Sequence, residues 1–323
     1  MNRKLKIFLW VVVLTVACSV VAKWISDCVT FRDLKTYDRS HPLNVKQISS
    51  SNRTNYIREE FSFEGCPGEE VPVLTLVPAG NTNRYPAIIL LYGIGMKMNF
   101  ADRDDVANAV TKAGFALFVP EQYGRGRRRK ESVNRLQEVM ALRHRIVLTI
   151  KETRRLVDVI SERPDIDPAR IYFWGASFGA MTGCSVMAYD QRLPAGIFTL
   201  AAGDFQKMAA ESPYRSKLDE KYSWMKVVAP AVASFLRPFD PIYHIDRIAP
   251  RPLLFQNANN DELIARSAVD ALYGTAGEPK QILWYDSPHD HLERAVIEKV
   301  VGDALAWLQI QDDKIVSRSG KSE

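Results

Sequence analysis

The stretch Ile171-Tyr172-Phe173-Trp174-Gly175-Ala176-Ser177-Phe178-Gly179-Ala180 constrains this chain more than any other. An apolar, aromatic-rich run bounded by Pro168 and Gly175 reads as a buried strand, and it passes straight into Gly-Ala-Ser-Phe-Gly. Ala180 to Tyr189 is small and apolar enough for a packed helix. The result is a strand, a tight turn and a helix with a serine at the apex. A serine there adopts a strained backbone that needs small residues two before and two after it, here Gly175 and Gly179. The strain aims the hydroxyl out of the sheet, and the helix start offers unpaired N–H groups to a developing oxyanion.

The rest of the chain supplies a sheet for this unit. Tyr56 to Glu64 and Val71 to Pro78 read as an antiparallel pair turned at Cys66-Pro67-Gly68. Tyr85 to Tyr92, Phe115 to Pro120, the serine strand, Ala195 to Ala202, Pro252 to Asn257 and Gln281 to Tyr285 follow. Helical stretches such as 102–113 and 135–162 lie between them. Strands alternating with helices imply an α/β fold: a mainly parallel sheet of eight strands with helices on both faces. Residues 203–250 break the rhythm, with Pro230, Pro238 and Pro241 interrupting helices that carry Tyr214, Tyr222, Trp224, Phe235 and Phe239. This excursion reads as a small cap or wall over the site, or equally as a segment packed on the sheet.

Before the domain, Asn2-Arg3-Lys4-Leu5-Lys6 is basic and Ile7 to Ala22 is unbroken apolar or small. As a helix that run reaches about 24 Å, short of the ~30 Å hydrocarbon core. Residues 1–26 therefore read as an export signal cut after Ala22, or as an anchor that snorkels Lys6 and Lys23. Leu14-Thr15-Val16-Ala17-Cys18 is a loose lipoprotein-box match. Residues 27–55 read as a tether, 56–310 as the catalytic domain and 311–323 as a polar tail. The location implied is the periplasmic or extracellular face, with membrane association through the N-terminus. Cys28 and Cys66 can pair in an oxidising compartment, and no Cys/His cluster has metal-ligand spacing. Forty-three basic against 38 acidic residues, net +5, give no basis for a nucleic-acid partner.

A serine hydroxyl needs a base in hydrogen-bond reach and a carboxylate to orient that base. Of His41, His144, His244, His289 and His291, only the last two follow the final strand and precede the terminal helix. The chain order Ser…Asp/Glu…His then places the carboxylate after the preceding strand, at Asp261, with Glu262 and Asp286 as the other acids. Asp261 also reads as an N-cap for the next helix.

These residues resemble the α/β-hydrolase superfamily, most of all its dienelactone hydrolase and acetyl xylan esterase-like branch. The resemblance rests on Gly175-Ala176-Ser177-Phe178-Gly179, Asp261 and His289, with Leu90-Leu91-Tyr92-Gly93-Ile94-Gly95 and Tyr123-Gly124-Arg125-Gly126 matching two further motifs. It spans about Tyr56 to Leu308 and implies Ser177, Asp261 and His289 as catalytic residues, with the Ile94 and Phe178 N–H groups as the oxyanion hole. Tyr92 stands where the family has histidine, Pro288 stands where a glycine is common, and His291 competes with His289. The expected activity is hydrolysis of small-molecule or carbohydrate carboxylic esters through an acyl-enzyme, with no metal or organic cofactor. A prolyl-oligopeptidase-like peptidase and a non-catalytic binding module are the alternatives. The run Arg125 to Lys130 reads as one packed arginine followed by a solvated face, or as a patch attracting anionic substrate or phospholipid headgroups.

Overall fold

The computed structural model describes residues 3–65, 68–80, 84–129, 135–214, 225–290 and 292–319. Its sheet has nine strands: β1 (Lys46–Asn52), β2 (Tyr56–Glu64), β3 (Glu70–Pro78), β4 (Tyr85–Leu91), β5 (Ala116–Pro120), β6 (Ile166–Ala176), β7 (Gly196–Thr199), β8 (Leu253–Ala258) and β9 (Lys280–Tyr285). Their spatial order is β1-β2-β3-β5-β4-β6-β7-β8-β9. The first three are antiparallel, β3 runs antiparallel to β5, and β5 through β9 are parallel.

The expected sheet had eight strands; the ninth is β1, inside the stretch read as a tether. Its sequence, Lys-Gln-Ile-Ser-Ser-Ser-Asn, is exposed at every position and pairs with β2 from Lys46↔Ser62 to Asn52↔Ile57. Backbone hydrogen bonds hold it, so no apolar alternation marks it. Lys46 and the polar run also suit a strand at an open edge.

Each inner strand feeds both faces. Ala87, Ile89 and Leu91 of β4 pack with α3 (Arg135–Ser161) and α4 (Phe178–Tyr189), while Ile88 and Leu90 pack with α2 (Asp104–Lys112) and α8 (Arg294–Ser319). Because both faces are covered, β4 and β5 are buried throughout. Leu91 pairs with Gly175, so the loop after β4 and the serine turn after β6 emerge side by side. Residues 203–250 divide. Helices α5 (Phe205–Glu211) and α6 (Met225–Phe235) stand above this edge, whereas Phe239, Ile245 and Ile248 enter the core ahead of β8 and α7 (Arg266–Thr275). Tyr222 and Trp224 lie outside the described residues.

The N-terminal helix α1 (Arg3–Lys35) does not stop where the apolar run ends. Its second part docks on the domain where a tether was expected. Asp27 is 3% exposed, accepts from Lys23 Nζ at 2.6 Å and pairs with Arg143 of α3. Arg143 also donates to Ser26 Oγ at 2.8 Å and to the Phe235 carbonyl at 2.6 Å. Leu34 is fully buried, and Arg154 donates to the carbonyls of Leu34 and Lys35, closing the helix end. The polar tail is likewise ordered at its start. Asp312 on α8 is buried and accepts from Arg170 at 2.8 and 2.5 Å and from Tyr172 Oη at 2.6 Å. Composition conceals both dockings because buried ion pairs carry much of each. Asp27→Ala strands a buried guanidinium, which costs on the order of 3 kcal/mol. The melting temperature of the full-length protein in detergent should fall by roughly 4–5 °C; a change within 1 °C would show the docking to be energetically idle.

Candidate active site

Ser177 sits at φ 51°, ψ −119°, a backbone region strained for any side chain bearing a Cβ. Its N–H donates to Thr199 O at 2.8 Å, and its carbonyl accepts from Ala180 and Met181 N–H at 2.9 and 3.0 Å. Glycines allow the crowding that fixes this turn. A Cβ on Gly179 would lie 2.2 Å from Leu91 O, and one on Gly175 would lie 2.5 Å from Ala180 Cα. Both obstacles are backbone, which cannot swing aside.

The structure brings His289 and Asp261 to this serine from 112 and 84 residues away. His289 Nδ1 lies 2.7 Å from Asp261 Oδ2, and Ser177 Oγ lies 3.0 Å from His289 Nε2. A carboxylate only accepts, so Nδ1 carries the proton, and Nε2 of the neutral ring accepts from the serine hydroxyl. Asp261 is fixed by its other oxygen, which accepts from Leu263 and Ile264 N–H at 2.9 and 2.7 Å. The capping role and the orienting role thus fall on separate oxygens of one side chain. Glu262 accepts from the His289 backbone N–H at 2.9 Å, steadying the loop. Asp286 instead accepts from Asn260 at 2.6 Å.

Burial works against the charged form of His289, but the hydrogen bond and charge of Asp261, aided by Asp290 and Glu262, outweigh it. The net pKa is raised above the ordinary imidazole value. His244 shows the opposite balance: fully buried, it is pushed down to about 4, holds the Pro238 carbonyl at 2.8 Å and accepts from Tyr189 Oη at 3.1 Å. His41 faces Glu64 and His144 is exposed. His291, Cys66 and Lys130 lie outside the described residues; Cys28 is exposed with a free thiol.

Ile94 and Phe178, expected from the resemblance as the oxyanion hole, line one cavity with Ser177 and His289. Phe178 begins α4, so its N–H has no intrahelical partner. The residue missed in this role is Arg125. Its Nη1 donates to the Gly93 carbonyl at 2.5 Å, and its guanidinium stacks 5.6 Å from the Tyr92 ring and 5.3 Å from the Phe178 ring. The Gly93 carbonyl and Ile94 N–H belong to one planar peptide and point oppositely, so gripping the first fixes the direction of the second. Tyr92, in the histidine position, contributes only backbone here: its carbonyl accepts from Gln122 at 2.8 Å and its buried ring packs on Phe100. Burial pushes its phenol up to about 12.

The cavity holds about 640 Å³, within the ~300–1,000 Å³ range of drug-sized sites. Its walls are Leu142 and Ile146 of α3, Phe205 and Met208 of α5, and Val232 and Ala233 of α6. Residues 72–208 match the dienelactone hydrolase family. The fold is that of the α/β hydrolases. Acetyl xylan esterase 1 from Thermoanaerobacterium sp. JW/SL YS485 superposes with a TM-score of 0.67 at 17% identity, covering 86% of this chain and 93% of that one. The acetyl xylan esterase from Paenibacillus sp. R4 gives 0.66 at 15% identity, covering 87% and 93%. The provisionally named hydrolase YtaP of Bacillus subtilis (strain 168) is 22% identical over 299 residues, 86% of this chain and 96% of its own length. The chain differs from the expected outline in its ninth strand and docked N-terminal helix, not in its parallel core.

A raised His289 pKa has a readable sign. The ring accepts a proton from Ser177 only when neutral, so reactivity is lost as pH falls through that pKa. The rate of fluorophosphonate labelling of Ser177 should therefore drop with a midpoint above about 6.5. In Asp261→Asn the midpoint should move to lower pH as the overall rate falls. A midpoint unmoved by that substitution would contradict the assigned pairing.

Proposed function

We propose that this α/β hydrolase is a serine esterase held at a membrane by its N-terminal helix, with the catalytic domain on the periplasmic or extracellular face. The hydrogen-bonded line Ser177–His289–Asp261, at 3.0 and 2.7 Å, opens into a ligand-sized cavity; this observation carries the reading. Ser177 Oγ attacks the ester carbonyl carbon while His289 Nε2 takes its proton. Asp261 keeps the ring in the accepting tautomer and stabilises the imidazolium. The Ile94 and Phe178 N–H groups receive the oxyanion of the tetrahedral intermediate. As that intermediate collapses, the carbon–oxygen bond to the alcohol breaks and His289 returns its proton to the leaving oxygen. Water then repeats the cycle on the acyl-enzyme, releasing the carboxylic acid and restoring Ser177.

The anchoring reading is supported by α1, a helix long and apolar enough to cross a membrane, with Trp10, Leu14 and Val21 exposed. The basic residues at its start favour the cytoplasmic side, which leaves the domain outside.

Ser177→Ala should abolish turnover of an activated short-chain ester and covalent fluorophosphonate labelling, with an unchanged melting temperature. His289→Ala should cost roughly 10⁴-fold in kcat. Labelling that persists in Ser177→Ala, or a His289→Ala enzyme within tenfold of the parent, would overturn the assignment. Wild-type protein that never labels would favour a non-catalytic binder on this fold.

A further inference from the structure

Three features of the structure converge on one turn of α3. Arg143 grips the membrane helix through Asp27 and Ser26. Leu142 and Ile146, four residues apart and so on one helix face, line the apolar cavity. Arg145 lines both that cavity and an adjoining groove of about 740 Å³. One helical turn is about 5.4 Å, so chemistry, anchor and groove are held together by the same few residues. The other wall repeats the arrangement: the Phe235 carbonyl accepts from Arg143, and the next residue, Leu236, lines the cavity.

The groove is lined by more charge than the cavity. Its carboxylates Glu60 and Glu121 are both held by Arg127, at 2.5 and 3.3 Å. Lys97, Arg129 and Arg145 also line it, and among the described residues none has a carboxylate partner. Solvated lysines and arginines are common on surfaces, but here three converge on a concave site that shares Ile94, Gly124, Arg125 and Arg145 with the cavity. The cavity walls, for their part, suit a hydrocarbon rather than a sugar. Gln122 donates to the Tyr92 carbonyl at 2.8 Å and Thr149 to the Arg145 carbonyl at 2.9 Å. Gln122 Oε1 is left buried without a partner among the described residues, but α5 and α6 and the Leu142 and Ile146 face of α3 give the cavity aliphatic and aromatic surface. An acetyl group would fill a small part of 640 Å³, since a single water takes about 30 Å³ in the liquid.

We infer that the substrate is an anionic lipid ester drawn from the membrane surface, its acyl chain in the cavity and its negatively charged group in the groove beside Arg145. This rests on the esterase reading of Ser177 and narrows it. The chemistry is the hydrolysis above: one water is consumed, and a fatty acid and a headgroup-bearing alcohol leave. The docked helix gives the arrangement its purpose. Thirty-three residues of helix measure about 50 Å, so a hydrocarbon core of about 30 Å takes the first part. The remainder is fixed to the domain at the cavity wall, within reach of lipid headgroups, where basic side chains attract anionic lipid.

The test uses full-length protein in neutral phosphatidylcholine vesicles. Two substrate series are compared: p-nitrophenyl esters from acetate to decanoate, and palmitoyl lysophosphatidylglycerol beside neutral monopalmitoylglycerol. Rates should rise about fourfold per added methylene over the first several carbons. The anionic lysolipid should exceed its neutral counterpart by about tenfold or more. Ala233→Trp, which fills the cavity, should cut the decanoate-to-acetate ratio at least tenfold. Arg145→Gln should bring the anionic-to-neutral ratio close to one. Fluorophosphonate labelling of each variant controls for folding. Acetate turned over as fast as decanoate, or an anionic-to-neutral ratio near one in the parent, overturns this inference while leaving an esterase. Failure of every ester, with no labelling, overturns the esterase reading itself.

Discussion

Everything at this site depends on how closely α4 approaches the sheet. Gly179 lies so near the Leu91 carbonyl that a methyl group would overlap it, and Gly175 is equally tight against Ala180. This contact makes the strained Ser177 backbone affordable, because relaxing φ 51° would require prising a buried helix off β4 and β6. Strain of roughly 1–3 kcal/mol is small beside the burial of Ala180, Cys184, Val186 and Met187 on the helix that follows. The same closeness sets the Ile94 loop and the Phe178 N–H beside each other, since one follows the strand that the other's helix touches.

A second constraint is that few side chains here do a single job. Asp261 orients His289 with one oxygen while the other is pinned by two amides, so its carboxylate cannot rotate away. Arg125 ties the Gly93 peptide and spreads over Tyr92 and Phe178, linking the loop after β4 to the start of α4. Below the sheet, Gln256 accepts from Thr199 and donates to Tyr285 and the Val300 carbonyl, joining β7, β8, β9 and α8 in one buried chain. Gln256 uses both ends of its amide, which is the condition under which buried polar networks rigidify rather than destabilise.

Helix α3 joins the two halves of the molecule. One face enters the core through Ile150, Leu156 and Ile160, its arginines receive α1, and its middle turns, from Leu142 to Thr149, wall the cavity. Glu152 adds a bidentate pair with Arg128 at 2.7 Å, fastening the basic turn to the same helix. An N-terminal helix attached through a flexible tether would leave the cavity free to face any direction relative to it. Attached through Arg143, it holds a fixed bearing to the cavity wall.

The sequence by itself determined the parallel core and the serine turn. Buried strands such as Ile88-Ile89-Leu90-Leu91 are written as unbroken apolar runs, and Gly-Ala-Ser-Phe-Gly after one of them admits few conformations. It also narrowed the acid and base to short loops after the last two strands, because chain order limits what a parallel sheet edge can gather. Tertiary structure decided the remainder. Strand β1 is held by main-chain bonds and carries no side-chain period. Asp27 and Asp312 look like solvated polar residues until Arg143 and Arg170 meet them from 116 and 142 residues away. Arg125 reads as one charge in a basic run, yet its direction into the Gly93 peptide depends on where β4 and β5 end. Local pattern reports what a residue does with its neighbours in sequence; a long-range ion pair or a gripped peptide exists only once the chain has closed around it.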